Sequence, residues 1–340
     1  MREIASLSLG GSESRILLLE GGDALPPADL VVADTNTHKL SKTPHAAPVV
    51  VVPPGESCKS MAVITQALEE CTRAGLRRDS VITGIGGGAV TDFTAFLASL
   101  YLRGVPVTLV PTTLLAMVDA SIGGKTGVDF LGYKNMVGSF YPAQEVLIIP
   151  ALLETLPDRE FRSGLAEVIK AGMLGDEHLF SILEEQSTEV LSKDSEIIRE
   201  VIERAIRVKC EVVAEDFRES GRRAFLNLGH TFGHALEASL GFGVWTHGEA
   251  VAWGIARALE AGVALGITDA QWHTRVLALL QRYNYPVEQF PASREEITTA
   301  MYQDKKRRAQ GIPFVLQRGP QDTLLQPLPQ DVLDSVLTPR

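Results

Sequence analysis

Six short runs of Val, Ile and Leu in the first 150 residues constrain the fold of this chain more than any other feature. The runs lack a strict alternation of polar and apolar residues, which predicts strands buried on both faces of a parallel sheet. Helix-like stretches lie between them, so a doubly wound α/β domain is predicted. The runs cover residues 16–19, 30–33, 49–52, 81–83, 107–110 and 146–149.

The pattern changes after Pro150. Residues 196–207 place apolar side chains three and four positions apart with charges between them, which is typical of an amphipathic helix. The second half is therefore predicted to be mainly helical. Since 340 residues exceed the size at which one core usually stops growing, we expect two domains, 1–150 and 151–340.

Composition excludes some classes of function. A formal charge of −10 argues against an unaided nucleic-acid binder, because phosphate contacts require clustered Lys and Arg. The three cysteines are odd in number and form no metal-type pair, which fits a reducing cytoplasm. The sequence begins without a basic segment followed by an apolar run, and its longest uncharged stretch is too short to span a bilayer. We expect a cytoplasmic protein with no membrane role.

A glycine-rich segment, residues 84–92, follows the fourth apolar run. Glycines between a strand and a helix let backbone N–H groups approach a pyrophosphate at the helix N-terminus. A tight turn with close helix packing explains the same glycines about equally well. Asp34 ends the second run and is placed to accept hydrogen bonds from a ribose, although capping a helix is the more common role of such a residue.

A block of polar residues in a Gly-rich frame follows the fifth run. Lys125 and Lys134, with Asp119 and Asn135 nearby, are embedded among small residues and suit a phosphate or a carboxylate. The segment resembles the end of a Walker motif, but position 119 holds no glycine, so a P-loop is not predicted.

Histidines in the second half predict a metal site. His230 and His234 lie four apart on one helix face, and the glycines around them are predicted to leave room for a ligand. Glu167 and Lys170 lie three apart in an apolar helix, and His247 follows later. Two histidines and a carboxylate are typical of catalytic zinc, and spacing alone favours His230 and His234 as the pair. The remaining histidines, at positions 38, 45, 178 and 273, are expected at the surface.

Taken together, the motifs resemble those of the 3-dehydroquinate synthases, in order from about Asp34 to Lys306. The segments that carry this resemblance are 86–92, 111–115, 123–126, 134–135, 163–170, 215–216, 227–234 and 247–251.

The resemblance implies an N-terminal Rossmann-like NAD-binding α/β domain and a mainly α-helical C-terminal metal-binding domain, with the active site in the cleft between them. It also implies a homodimer that uses NAD and a divalent metal ion, zinc or cobalt. The implied reaction converts 3-deoxy-D-arabino-heptulosonate 7-phosphate to 3-dehydroquinate and phosphate in the shikimate pathway. Its steps are transient oxidation by NAD, phosphate elimination, re-reduction, ring opening and an intramolecular aldol step.

Residue roles implied by the resemblance differ from the spacing argument at His234. The metal ligands become Glu167, His230 and His247, and His234 turns to the phosphate. The other implied phosphate contacts are Lys125, Asn135, Asn227, Lys305 and Lys306, with Arg103 from the partner subunit. Lys209 and Arg223 are implied to hold the carboxylate, and Asp119 and Lys170 to face the ring hydroxyls. The implied NAD contacts are Asp34, Asn36, Pro54, Gly55, Glu56, Lys59, Gly88, Ala89, Val90, Thr91, Asp92, Thr112, Thr113, Lys125, Lys134, Leu152, Leu153, Glu154 and Thr155.

Two positions depart from the family pattern, and three alternatives stay open. Tyr133 and Thr91 stand where glycine is common in the family, and both lie beside predicted nucleotide or phosphate contacts. Sister cyclases that make epi-valiolone or scyllo-inosose skeletons lack a substrate carboxylate, so Arg223, Lys209 and Asn227 argue against them. Metal-dependent alcohol dehydrogenases do not need so many lysines, and a silent NAD-binding sensor does not need a metal triad.

Overall fold

The computed structural model describes residues 1–20, 23–40, 47–219, 221–241, 243–305 and 313–339, with backbone alone at 303–305. Its contacts divide the chain into two compact units. The first unit contains Met1–Pro157 and Ile198–Arg218, and the second contains Asp158–Ile197 and Glu219–Arg340. The sequence predicted one boundary near residue 150, whereas residues 151–157 and 198–218 belong to the first compact unit.

A seven-stranded sheet forms the centre of the first unit, in the order β1-β2-β9-β6-β5-β3-β4 within the described residues. Its strands are β1 (Arg2–Leu9), β2 (Ser12–Leu18), β3 (Leu30–Asp34), β4 (Val49–Val52), β5 (Ile82–Gly86), β6 (Val107–Pro111) and β9 (Glu145–Ile148). The six predicted strands are confirmed as β2, β3, β4, β5, β6 and β9, and the pairings among these six strands are parallel. Strand β1, which was not predicted, pairs antiparallel with β2 at the edge.

Burial on both faces explains why these strands read as continuous apolar runs. Every residue of β3, β5 and β6 is buried. Two helices of this unit are α1 (Met61–Arg73) and α2 (Gly88–Leu100), and α2 contacts β3, β5 and β6. One core cluster joins Leu17, Val31, Ile85, Val110 and Leu147 from five different strands or strand ends.

The order of the strands reverses between β3 and β5. From β3 the chain moves outward to β4, and from β5 it moves the other way to β6 and β9. Ligands of open parallel sheets bind beside the carboxyl ends of the strands at such a switch point. Asp34 at the end of β3 and Gly86 at the end of β5 flank that position.

An antiparallel hairpin, β7 (Lys125–Phe130) and β8 (Tyr133–Phe140), forms a separate two-stranded sheet in the first unit. It contacts α2, and a π-helical turn, Ala116–Ala120, precedes it. Gly124 adopts a left-handed conformation (φ +69°) just before β7, where an added Cβ would lie 2.9 Å from the Pro142 nitrogen. This hairpin was not predicted from the sequence, because only two residues of its two strands are buried and no continuous apolar run marks it.

The second unit is built mainly from helices and carries one short hairpin. Its elements are α3 (Asp158–Gly175), α4 (Glu177–Glu185), α5 (Ser187–Leu191), α7 (His230–Leu240), α8 (His247–Ala264), α9 (Ala270–Arg282), α10 (Arg294–Lys305), β10 (Phe314–Gly319), β11 (Asp322–Gln326) and α11 (Gln330–Val336). Helix α6 (Ser195–Glu215) starts in this unit, and its residues from Ile198 onward belong to the first.

Helix α8 lies at the centre of the second unit and contacts α3, α7, α9, α11 and β10. It is buried nearly all round, as expected of a helix inside a core. Glycines bring α7 and α8 unusually close. A Cβ added to Gly254 would lie 2.0 Å from the Gly229 carbonyl oxygen, and one added to Gly233 would lie 2.8 Å from the Ala250 carbonyl oxygen.

The predicted fold class, an α/β Rossmann-like part and a mainly α-helical part, is confirmed. The three cysteines, Cys58, Cys71 and Cys210, are free and buried. Among the helices that the described residues form, none has the length and the apolar character needed to cross a bilayer.

Candidate metal centre and nucleotide-binding edge

Glu167 is a buried carboxylate in the middle of α3. The Lys170 ammonium, one helical turn later, pairs with its Oε2 atom. Burial alone would raise the pKa of Glu167, but Lys170 and His247 outweigh burial and lower the pKa to about 2. The side chain is therefore an anion inside an apolar helix, as the local sequence predicted.

Two histidines enter the site from α7. His230 is the first residue of that helix, and His234 lies one turn later, so both imidazoles share one face. Their ring centroids are 5.1 Å apart. His230 is half-buried, whereas His234 is exposed.

His247 enters from the start of α8, which is fixed by a capping box. The Thr246 hydroxyl accepts a hydrogen bond from the Glu249 amide, and the Glu249 carboxylate accepts one from the Thr246 amide. Arg159 of α3 holds Glu249 through two further hydrogen bonds. Beside them, the Gly248 amide donates to the Ser163 hydroxyl at 3.0 Å, and an added Cβ at Gly248 would lie 2.2 Å from the Ser163 carbonyl oxygen. His247 is thus positioned by rigid neighbours.

The Glu167 carboxylate faces two of these imidazoles. Its Oε1 atom lies 3.5 Å from His247 Nε2 and 3.7 Å from His230 Nε2. One ligand atom from each of His230, His234 and His247 lies within 4.8 Å of the others. The structure thus brings together Glu167 and all three histidines of the predicted centre.

This donor set fits a divalent metal ion. Within the described part of the chain, the buried Oε1 atom of Glu167 has no hydrogen-bond partner, and the buried Oε2 atom has only its ion pair with Lys170. Buried polar atoms are rarely left in this state. Two imidazoles and a carboxylate also form the ligand set of catalytic zinc sites. The site therefore matches what zinc or cobalt would require.

Glu237 of α7 is a further member of the centre that sequence reasoning missed. It is buried, and its Oε2 atom lies 3.4 Å from His247 Nδ1. Burial lowers the pKa of His247, but Glu167 and Glu237 outweigh it and raise the pKa to about 9. The spacing signal was present, because Glu237 lies seven residues after His230, on the same helix face.

The glycines of this motif were interpreted wrongly. They were expected to leave room for a ligand beside the histidines. Instead, Gly229 and Gly233 face the backbone of α8, where a side chain would collide. Their role is to let two helices approach and so to bring His230 near His247.

The other predicted site residues of the second unit come from three segments of the chain: α3, the short helix before α7, and α10. The Lys170 ammonium also donates to the Leu226 carbonyl oxygen at 2.6 Å. Arg223 is buried within a short 3-10 helix, Arg222–Asn227, that precedes α7. Asn227 donates to the Glu219 carboxylate. Lys305 ends α10, but its side chain and all of Lys306 lie outside the described residues.

The residues predicted to contact NAD follow the carboxyl ends of the parallel strands. Asp34 ends β3, residues 54–59 follow β4, and Gly88–Asp92 follow β5. Thr112 and Thr113 follow β6, and residues 152–155 follow β9. They therefore share the carboxyl edge of the sheet, whose switch point lies between β3 and β5. The two other predicted contacts, Lys125 and Lys134, lie on the β7–β8 hairpin.

The glycine-rich segment has a packing role as well as an open helix end. A Cβ on Gly84 would lie 2.6 Å from Thr94 Oγ1, and one on Gly86 would lie 2.5 Å from Val90 Cβ, so both allow α2 to pack on the sheet. Gly87 caps α2 without a side-chain hydrogen bond, and the first turn carries no acidic residue. An N-terminus of this kind suits an anion.

Asp34 takes part in the turn after β3. Its Oδ1 atom accepts hydrogen bonds from the amides of Asn36 and Thr37 and from the Thr37 hydroxyl, each at 2.9 Å. This turn role is close to the capping alternative that the sequence left open. It also fixes the carboxylate at the sheet edge.

The polar block and α6 contribute an ion pair to the first unit. Lys209 Nζ lies 2.5 Å from Asp119 Oδ1. The hairpin carries Lys125 and Asn135, both exposed, together with half-buried Lys134. Arg103 is exposed and left-handed (φ +69°).

The two departures from the family pattern are accommodated locally. Thr91 is buried, and its hydroxyl donates to the Gly88 carbonyl oxygen at 2.9 Å inside the first turn of α2. Tyr133 opens β8 opposite Phe130, and its side chain is 47% exposed. Neither side chain disrupts the backbone that carries the neighbouring predicted contacts.

Fold and site together define a metal- and nucleotide-binding enzyme class with a Rossmann-like unit and a helical unit. A solved 2-epi-5-epi-valiolone synthase from Streptomyces hygroscopicus subsp. jinggangensis 5008, with NAD+ and Zn2+ bound, has the same fold. It is 27% identical to this chain, with a TM-score of 0.86 and coverage of 95% of each chain.

Sequence comparison gives a narrower result. Residues 49–163 match the model of the 3-dehydroquinate synthase N-terminal part, and residues 164–307 match that of the C-terminal part. A 3-dehydroquinate synthase of Solibacter usitatus is 42% identical over 79% of this chain and 75% of its own length. One of Nitrosospira multiformis is 40% identical over 90% of this chain and 82% of its own length. The chain belongs to the 3-dehydroquinate synthase family.

Proposed function

We propose that this protein is an enzyme that converts 3-deoxy-D-arabino-heptulosonate 7-phosphate into 3-dehydroquinate and phosphate. As a phosphate-eliminating carbon–oxygen lyase it would catalyse the second step of the shikimate pathway. The observation that carries the proposal is the buried Glu167 carboxylate facing His230 and His247, in a chain about 40% identical to named 3-dehydroquinate synthases.

Glu167, His230 and His247 would hold the metal ion, zinc or cobalt. When bound, a divalent ion supplies Lewis acidity, which stabilises negative charge that develops on a substrate oxygen. Glu237 would orient the His247 ring through Nδ1, so that Nε2 stays directed toward Glu167. Lys170, pinned between Glu167 and the Leu226 carbonyl oxygen, would present a fixed proton donor to a ring hydroxyl.

The strand-end residues would hold NAD. When bound, NAD supplies reversible acceptance of a hydride, so the cycle regenerates it. Asp34 would accept hydrogen bonds from the ribose hydroxyls. The N-terminus of α2 would bind the pyrophosphate. The remaining proposed contacts are Asn36, Pro54, Gly55, Glu56, Ala89, Val90, Thr91, Asp92, Thr112, Thr113, Lys125, Lys134, Leu152, Leu153, Glu154 and Thr155.

The substrate phosphate would be bound by donors from several elements. His234 is the exposed histidine of α7, and Lys125 and Asn135 are exposed on the hairpin, as a binding role requires. Asn227, Lys305, Lys306 and a partner's Arg103 complete the proposed set. These contacts would also hold the phosphate leaving group in one orientation. A fixed orientation lowers the entropic part of the activation barrier.

Other charged groups would bind the remaining parts of the substrate. Lys209 and Arg223 would hold the carboxylate, since a guanidinium binds a carboxylate through two parallel hydrogen bonds. Asp119 would face a ring hydroxyl. Lys209 and Asp119 form an ion pair with each other, which places the two proposed substrate contacts side by side.

We further propose a cytoplasmic homodimer. Support comes from Leu100 and Leu102, which are 41% and 42% exposed beside Arg103 and would be covered by a second copy. Three buried, free thiols fit a reducing compartment.

Phosphate release from the heptulosonate phosphate, followed with and without NAD and with and without a chelator, tests the function. We expect activity only when both NAD and Zn2+ or Co2+ are present. H247A should lower kcat at least a hundredfold, whereas H178A, which changes an exposed histidine of α4, should match the parent. Full activity in the presence of chelator, or in H247A, would refute the proposed centre.

A further inference from the structure

Lys59 joins three segments of the first unit through one buried ammonium group. Its side chain is only 3% exposed. The Nζ atom donates to Asp92 Oδ2 in α2 at 2.8 Å and to the Asn135 Oδ1 atom in β8. The Glu56 carboxylate lies 3.9 Å away. A side chain expected to contact NAD directly is thus committed to protein groups on two other elements.

The backbone of Lys59 makes a second connection to the same hairpin. Its carbonyl oxygen accepts from the Asp129 amide at 2.8 Å, and Ser60 and Asp129 form an isolated parallel bridge. The Asp129 Oδ1 atom accepts a hydrogen bond from the backbone N–H of Asn135 at 2.8 Å. Asn135 itself is left-handed (φ +51°), a conformation that asparagine tolerates better than most residues. Main chain and side chain of Lys59 therefore both fix the position of Asn135.

The contact with Lys59 also decides which way the Asn135 amide points. A lysine ammonium only donates hydrogen bonds, so the amide oxygen must face Lys59. The amide N–H groups are then directed away from Lys59. Asn135 is exposed, so these donors are accessible to an anion. With the amide reversed, an anion would meet a carbonyl oxygen instead.

The charge of the Lys59 ammonium is fixed by its neighbours as well. Burial lowers the pKa of Lys59, but the carboxylates of Asp92, Glu56 and Asp129 outweigh burial and raise it. Burial raises the pKa of Asp92 to about 6, against the opposing effect of Lys59. The ammonium therefore stays charged at neutral pH and helps to keep Asp92 ionised.

We propose that Lys59 is a positioning residue that orients the Asn135 amide toward the substrate phosphate and holds the Asp92 carboxylate at the nucleotide edge. This inference rests on the proposed function, which assigns Asn135 to phosphate and Asp92 to NAD. It replaces a direct contact between Lys59 and NAD with a link between the two binding sites. Weakening that link should affect both ligands at once.

Substitution K59M tests the link, because methionine keeps the length of the side chain and removes its donors. We expect the KM for the sugar phosphate and the Kd for NAD each to rise about tenfold, the scale of a lost charged hydrogen bond. In the double variant K59M/N135A, the KM for the sugar phosphate should equal that of N135A alone, because Lys59 acts through Asn135. A double variant in which the two effects multiply would overturn the proposal.

A matched control is K193M. Lys193 forms an ion pair with Asp158 at 3.3 Å in the second unit, and its side chain is also mostly covered (14% exposed). The K193M substitution should lower the unfolding temperature at most slightly and leave the affinities for NAD and for the sugar phosphate unchanged. If K59M lowers the unfolding temperature but leaves both affinities unchanged, Lys59 is merely structural and the proposal is wrong.

Two further measurements keep the result interpretable. If K59M does not fold, K59R keeps the buried charge: it should retain NAD affinity through Asp92 and still lose affinity for the sugar phosphate. An unchanged KM for the sugar phosphate in both K59R and N135A would then refute the link. The parent enzyme is assayed first. If it shows no turnover, the proposed function fails, while calorimetric binding of NAD and of inorganic phosphate to K59M still tests the link.

Discussion

At the scale of single residues, the candidate metal centre depends on which side chains face the Glu167 carboxylate. The carboxylate lies within 3.7 Å of both His230 and His247, and apart from the ion pair with Lys170 its oxygens have no hydrogen-bond partner among the described residues. Sequence spacing alone favoured His230 and His234 as the ligand pair. The resemblance to the family assigns His230 to the metal and His234 to the phosphate. This assignment stays a prediction, since ligand atoms of His230, His234 and His247 all lie within 4.8 Å of one another.

H230A and H234A should therefore fail differently. H230A is expected to lose most of its affinity for Zn2+, because one of three proposed ligands is missing. H234A should retain Zn2+ affinity within about threefold, since a group outside the ligand set does not carry the coordination energy, and should raise the KM for the sugar phosphate. Competition with a chromophoric chelator measures the metal affinity. Equal loss of Zn2+ in both variants would make His234 a ligand.

Glu237 shows what a sequence motif leaves out. It stands in the same motif as the histidines, yet only the folded chain places its carboxylate beside His247 Nδ1, because the contact joins α7 to α8. Residue types and their spacing predicted the candidate metal ligands. The contact of Glu237 with His247 could not be predicted in this way, because it depends on how α7 packs against α8.

E237Q should lower Zn2+ affinity by about ten- to a hundredfold, the usual effect of removing the partner of a metal-bound histidine. The visible spectrum of the Co2+ form should shift as well, because the His247 ring would turn. E260Q removes a mostly covered carboxylate (13% exposed) that pairs with Arg257 in α8; it is the matched control and should bind Zn2+ as the parent does. Unchanged Zn2+ affinity and an unchanged Co2+ spectrum in E237Q would exclude this role.

At the scale of elements, buried strands were far easier to predict than irregular ones. All six apolar runs became strands of the central sheet, because burial leaves a strong signal. The prediction of burial on both faces was wrong for β4, an edge strand in which only Val52 is buried. The β7–β8 hairpin left no such signal, because β8 has no buried residue and β7 only two. Residues 198–218 read as an ordinary amphipathic helix, and amphipathicity does not tell which unit a helix joins.

The close approach of α7 and α8 is the element that assembles the centre. A Cβ at Gly254 would lie 2.0 Å from the Gly229 carbonyl oxygen, so G254A must push the helices apart. We expect a loss of about 1–3 kcal/mol in the free energy of unfolding, as for other overpacked cores, together with weaker Zn2+ binding.

Urea unfolding and chelator competition measure the two effects of G254A. G319A is the control, because no atom lies within 4 Å of an added Cβ there and its φ is not left-handed. G254A with the stability and the Zn2+ affinity of the parent would show that the helix approach does not set the centre.

At the scale of the whole molecule, the family resemblance carried information that no local pattern holds. The sequence predicted an α/β part and a helical part from periodicity alone. The assignment of Arg103 to a partner subunit has no basis in periodicity or spacing, and it stays a prediction here.

Mixing two inactive variants tests the assignment of Arg103. In a mixed dimer of R103A and H247A, one site would keep both its own His247 and an intact Arg103 from the other copy. Random exchange of subunits should then restore about a quarter of the parent activity, by the symmetry of a two-fold dimer. A mixture no more active than the separate variants would place Arg103 outside a shared site.

The most direct test of the central claim is the identity of the product. The purified protein, loaded with NAD and Zn2+, is given 3-deoxy-D-arabino-heptulosonate 7-phosphate or sedoheptulose 7-phosphate in parallel. We predict one phosphate released for each 3-dehydroquinate formed from the first compound, with no accumulation of NADH and no turnover of the second. Formation of epi-valiolone from sedoheptulose 7-phosphate, with the heptulosonate phosphate left unchanged, would contradict the account.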